Sequence, residues 1–122
     1  MPDIRFPVTL AGDVSIVGTP DEIDATNAEG LRTAMLEASG VHRMTVVDMS
    51  KTRFCDSAGI QVLVAAHRRA RGQDGEVVLV ITDAAVLRIL AITGVDRRLP
   101  NVATLDEALS RVADLITASR EP

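Results

Sequence analysis

Aromatic side chains are nearly missing from this 122-residue chain, which has two Phe, no Trp and no Tyr. A core built without them must be aliphatic, and it suits short parallel strands covered by helices. The same shortage argues against two kinds of site. Stacking platforms for single-stranded nucleic acid need aromatic faces, and sugar-binding clefts usually want them too. Cysteine is limited to Cys55, so no intramolecular disulfide can form, and no metal-ligand spacing surrounds it. Such usage fits a reducing, cytoplasmic setting. No window approaches the ~20 apolar residues that cross a bilayer. The first residues lack a basic stretch followed by an apolar run, so no secretory signal is expected. Positive charge is also short. The formal net charge is −4, which gives no global attraction to nucleic acid.

What is present is apolar and well patterned. Hydrophobic residues make up 47% of the chain, enough for one globular domain with a two-layer core. The domain is read as residues 1–118, with 119–122 as a tail. Arg5 to Leu10 reads as a strand, and Pro7 places it at a sheet edge. Val14 to Val17 follows after a turn, so the two can form a hairpin. Thr26-x-x-Glu29 has capping-box spacing and opens a helix with Leu31, Met35 and Ala38 on one face, stopped at Ser39-Gly40. Met44 to Met49 reads as a buried strand. A helix from about Ala58 to Arg71 carries Ile60, Leu63, Val64 and His67 on one stripe. Val77 to Ile81 is the most hydrophobic strand. Asp83 can cap a third helix, with Leu87, Leu90 and Ala91 facing in. Arg98 to Val102 is a last, edge strand, and Thr104-x-x-Glu107 opens a final helix. The order is ββαβαβαβα, an α/β fold with a mixed, mainly parallel sheet.

Enzymatic signatures are absent from the sequence. There is no Gly-x-Gly-x-x-Gly turn and no phosphate loop. Ser57, His67 and Asp48 are the residue types of a triad, but His67 lies ten residues along the helix that Ser57 enters, roughly 15 Å away. The basic run His67-Arg68-Arg69-Ala70-Arg71 lies near a helix C-terminus, where cations complement the dipole; the alternative is a phosphate- or partner-binding patch. The chain therefore reads as a binding protein rather than an enzyme, with no cofactor and no metal.

The unusual segment is Asp56-Ser57-Ala58-Gly59, where a loop enters a helix. An ordinary N-cap explains it locally, with Gly59 leaving room for close approach by another chain. In its wider context the segment says more. The run Glu22-Ile23-Asp24-x-Thr26-Asn27-Ala28, then Val46-Val47-Asp48-Met49-Ser50, the run Phe54 to Ile60, and Thr93-Gly94-Val95 occur in order. Together they resemble the STAS domains, and within them the bacterial anti-sigma factor antagonists, over about residues 4 to 117. The resemblance implies a sheet with helices packed on one side. It also implies a switch. The unphosphorylated protein would hold an anti-sigma factor, often itself a serine kinase, so that a sigma factor is released. Phosphorylation at Ser57 would break that complex, and a phosphatase would reset it. Asp24, Thr26, Asn27, Asp56, Ser57, Ala58 and Gly59 would form the partner surface. Ala58 stands where many members carry a second hydroxyl. Two other readings stay open: an accessory subunit of a membrane lipid-transport complex, and a nucleotide- or ligand-sensing module. Pro7 and Pro100 discourage pairing through the sheet edges, while helices can still pair.

Overall fold

A computed structural model of the chain describes residues 3–120. Five strands form one sheet in the order β1-β2-β4-β6-β7: β1 (Val8–Ala11), β2 (Val14–Gly18), β4 (Met44–Asp48), β6 (Glu76–Val80) and β7 (Asn101–Val102). The first two make the expected antiparallel hairpin, and every later pairing is parallel. Pro7 and Pro100 do flank edge strands. The sheet's middle strand is β4, with β6 beside it and buried along its whole length. Among the described residues there are four α-helices, α1 (Ala28–Val41), α2 (Ser57–Gly72), α3 (Ala84–Thr93) and α4 (Leu105–Arg120), and a 3-10 turn at Val95–Arg97. The expected order holds, with one addition. Two short strands, β3 (Glu22–Ile23) and β5 (Phe54–Cys55), pair with each other away from the main sheet.

The resemblance implied helices on one side, and this needs one correction. Helices α1, α2 and α3 bury Leu31, Leu63 and Leu90 on the face lined by Val17, Val47, Val77 and Leu79. The opposite face, lined by Val14, Val46, Val78 and Val80, is covered by Ala108 and Val112 of α4. The reason lies in the interior strands. Side chains alternate faces along a strand, and β6 reads Val77-Val78-Leu79-Val80, apolar on both. Each face then needs its own cover.

Helix α3 is also rotated from expectation. Val86 and Leu90 are buried and Ile89 partly so, whereas Leu87, Ala91 and Ile92 are exposed. Arg88 is the only charge between Ala84 and Thr93, so periodicity had almost no polar mark from which to fix a face. Helix α1 runs past Ser39-Gly40 to Val41. Helix α4 runs through Ser119 and Arg120, into the expected tail. Glu121 and Pro122, like Met1 and Pro2, lie outside the described residues.

Candidate functional site

The pair β3–β5 builds the site. Glu22 stands opposite Phe54 and Ile23 opposite Cys55 in parallel register. Backbone hydrogen bonds extend the pair at both ends, from the Arg53 amide to the Asp21 carbonyl at 2.7 Å and from the Asp56 amide to the Ile23 carbonyl at 3.1 Å. Both strands therefore point the same way, and Asp24 and Asp56 leave them side by side. Two-residue strands are too short to show a period, so this pairing leaves no local signal to read.

After β5 the chain turns at once into α2. Asp56 is the N-cap, and its Oδ1 accepts from the Ala58 amide at 2.9 Å and the Gly59 amide at 3.4 Å. These are donors that a helix start otherwise leaves unpaired. Because the carboxylate does this work, the neighbouring hydroxyl is spare. Ser57 is the first helical residue, it is exposed, and among the described residues its Oγ makes no hydrogen bond. Ala58 is half-buried beside it.

Gly59 is buried. A Cβ there would stand 2.7 Å from Ile23 Cγ2 and 2.8 Å from Cys55 Sγ. The room it leaves is filled by this chain's own β3 and β5. Burial pushes the Cys55 thiol up to about 12, with the Asp56 carboxylate adding to the shift. The thiol is therefore neutral and inert at ordinary pH.

After β3 the chain makes a closed turn before α1. The Asp24 carboxylate accepts from the Thr26 amide at 2.9 Å and from the Thr26 hydroxyl. The Thr26 hydroxyl first, then its amide, hold the Asp24 carboxyl below its ordinary pKa. Asn27 is buried. Its Oδ1 accepts from the Asp24 amide at 3.0 Å and its Nδ2 donates to the Glu22 carbonyl at 2.8 Å. The expected capping box from Thr26 to Glu29 does not form. Asn27 is the N-cap of α1, and its side chain makes no capping bond, because both side chains are committed to the turn before the helix.

A hydroxyl pair missed in the sequence braces the loops beneath. Thr52 Oγ1 donates to the Pro20 carbonyl at 2.6 Å and lies 2.6 Å from Thr19 Oγ1, both residues being buried. This ties the segment after β2 to the segment before β5. Beside these loops is an open cavity of about 760 Å³ whose lining includes Arg5, Thr19, Asp24, Asn27, Asp48 and Lys51, but not Ser57.

Neither histidine serves Ser57. His67 Nε2 lies 2.7 Å from Glu76 Oε1, bridging α2 to β6, and Arg71 reaches the other oxygen of the same buried carboxylate at 3.2 Å. His42 Nδ1 is 3.0 Å from the buried Ser15 hydroxyl. Among the described residues no group of His, Cys, Asp and Glu is arranged to hold a metal ion, and no helix is long and apolar enough to cross a membrane.

Comparison with known proteins gives the wider setting. The sequence model of the STAS domain matches residues 5–108. A crystal structure of an anti-sigma factor antagonist from Mycobacterium paratuberculosis superposes with a TM-score of 0.81 at 29% identity, covering 88% of this chain and 92% of that one. An anti-sigma-factor antagonist (STAS) domain protein from Planctomyces limnophilus superposes at 0.79 and 23% identity, covering 88% and 96%. The Bacillus cell fate determinant SpoIIAA, in its phosphorylated form, superposes at 0.68 and 18% identity, covering 88% and 98%. At 23% and 18% identity the last two speak to the fold alone.

Proposed function

Since the chain belongs to the STAS domain family, we propose that it is an anti-sigma factor antagonist switched at Ser57. In this reading the unphosphorylated protein binds an anti-sigma factor that is itself a serine kinase, through the surface where α2 begins. That partner phosphorylates Ser57, the complex separates, and a phosphatase restores the hydroxyl. The observation that carries the reading is the division of labour at the start of α2. Asp56 caps the helix, so Ser57 is exposed with its hydroxyl uncommitted. The likeness to the Mycobacterium paratuberculosis antagonist supports the partner class.

Electrostatics supports the direction of the switch. A phosphoserine carries about −1.5 to −2 charges near neutral pH. The helix N-terminus tolerates that charge through its dipole and free amides, so the fold survives. The surface changes more. A divalent charge about 6 Å from the Asp56 carboxylate costs on the order of 1 kcal/mol even at water's dielectric constant, and more in a dried interface. Since ~1.4 kcal/mol is tenfold in affinity, repulsion plus phosphate desolvation weakens binding by roughly 100-fold. Asn27 and Gly59 contribute by shaping this surface from beneath, while Thr26, Ser57 and the half-buried Asp24, Asp56 and Ala58 present it.

The test is affinity capture from the native cell lysate with wild type and Ser57→Asp as baits, read by mass spectrometry. Wild type should retain a kinase-type anti-sigma factor that Ser57→Asp loses. Equal retention by both baits would overturn the switch.

A further inference from the structure

The outward face of α3 is the least expected surface of the molecule. Its exposed residues are Ala84, Ala85, Leu87, Arg88, Ala91, Ile92 and Thr93, five of the seven apolar. Leu87 is 39% exposed and Ile92 76%. An exposed helix face is normally the polar one, so this face is inverted. Asp83 caps α3 through the Ala85 and Val86 amides, and Val86 and Leu90 anchor it in the core. The helix is therefore fixed with this face outward. It also adjoins the site. Strand β5 packs beside α3, and β5 runs directly into Asp56 and Ser57 while exposing Phe54 at 45%.

Two features select the occupant. A ten-residue helix is about 15 Å long, and one face of it falls well short of the ~800 Å² per partner that a stable interface buries. The patch must therefore be part of a larger contact, and the Ser57 surface is the one it continues. Arg88 lies in the middle of the patch, and among the described residues it has no ion-pair partner. Twofold pairing of α3 with a second copy would bring two Arg88 side chains together, which like-charge repulsion opposes. A different protein, presenting an apolar ridge with a carboxylate opposite Arg88, satisfies both features.

We infer that the outward face of α3, with Phe54, is a second half of the partner-binding surface and docks the same anti-sigma factor that acts on Ser57. This rests on the function proposed above. The α3 half supplies apolar contact that phosphorylation leaves intact, and the Ser57 half supplies the switch.

The probe is the anti-sigma factor retained by the wild-type chain, purified and titrated by calorimetry. Leu87→Ser/Ile92→Ser should weaken binding about 30-fold or more, as expected for apolar anchors. It should raise KM for Ser57 phosphorylation more than it lowers kcat, with an unchanged melting temperature. Arg88→Glu should weaken binding as well. Leu10→Ser, which removes an exposed apolar side chain at the β1 edge, is the control and should bind as wild type. Binding of the α3 variant within twofold of wild type, while Ser57→Asp loses it, would overturn the α3 inference and leave the switch standing. Equal binding of wild type and Ser57→Asp, with loss in the α3 variant, would do the reverse. Sedimentation of the wild type as a dimer and of the α3 variant as a monomer would identify the occupant as a second copy and overturn the inference.

Discussion

The two loops that leave the β3–β5 pair begin alike and end differently. Each starts from a strand of two residues, in the same direction and register, and each opens with an aspartate. The Asp24 carboxylate closes on Thr26, and four residues pass before α1. The Asp56 carboxylate instead caps α2 at once. The first loop spends its hydroxyl on its own turn, and the second leaves its hydroxyl exposed. The lesson is that a side chain's role here is set by which amide lies within reach. Thr26 is held by Asp24, whereas the Ser57 hydroxyl, one residue past a capping carboxylate, makes no hydrogen bond among the described residues.

Both loops depend on the seam between them, and breaking that seam should have the largest effect. Ile23 is fully buried. Ile23→Ala should destabilise the protein by about 2–5 kcal/mol, measured by urea denaturation. Gly59→Ala alone should cost about 1–3 kcal/mol through overpacking against Ile23. In the Ile23→Ala background it should cost clearly less, because the methyl then enters the space Ile23 vacated. A double-mutant cycle that proves additive would show the two sites are not in contact.

The next effect separates the two aspartates. Asp56→Ala should lower stability by ~1 kcal/mol through loss of the α2 cap. Asp24→Ala should cost less, since its bonds close an exposed turn. Equal losses would mean that the cap at Asp56 contributes nothing special.

The remaining effects are in pH. Thr26 lowers the Asp24 pKa in the folded protein. Its contribution is therefore present above the unfolded carboxyl's value of ~3.9 and is lost as pH falls through the folded value. Cys55 behaves in the opposite sense. Its pKa rises from 9.0 to about 12 on folding, so its contribution is full below 9.0 and is lost as pH rises toward 12. The folded protein at pH 8 should resist alkylation by iodoacetamide, and the urea-unfolded chain should react. Rapid labelling of the native state would show that the β3–β5 seam opens readily.

Much of the fold was legible in the sequence. The hairpin, β4, β6, the helices and the edge positions of β1 and β7 each carry a period or a turn signal strong enough to read locally. Ser57 was legible too, because Asp-Ser-x-Gly stands between a strand pattern and a helix stripe, and an N-cap is a local device. The Thr19–Thr52 hydroxyl pair and the Asn27 bonds were not. They join residues distant in sequence, or depend on a turn whose geometry no single residue type specifies.

What the sequence by itself determined is therefore the set of elements, their order, and the serine at the head of α2, since these follow from nearest-neighbour chemistry and helical or strand periodicity. Three things were decided only by tertiary structure. One is the alignment of Asp24 beside Asp56, fixed by a strand pair too short to have a period. Another is which face of α3 turns inward, because a helix with one charge offers no polar face and the position of the sheet alone selects it. The last is the side on which α4 packs, because β6 is apolar on both faces and the helix covers the one that the three crossovers leave bare.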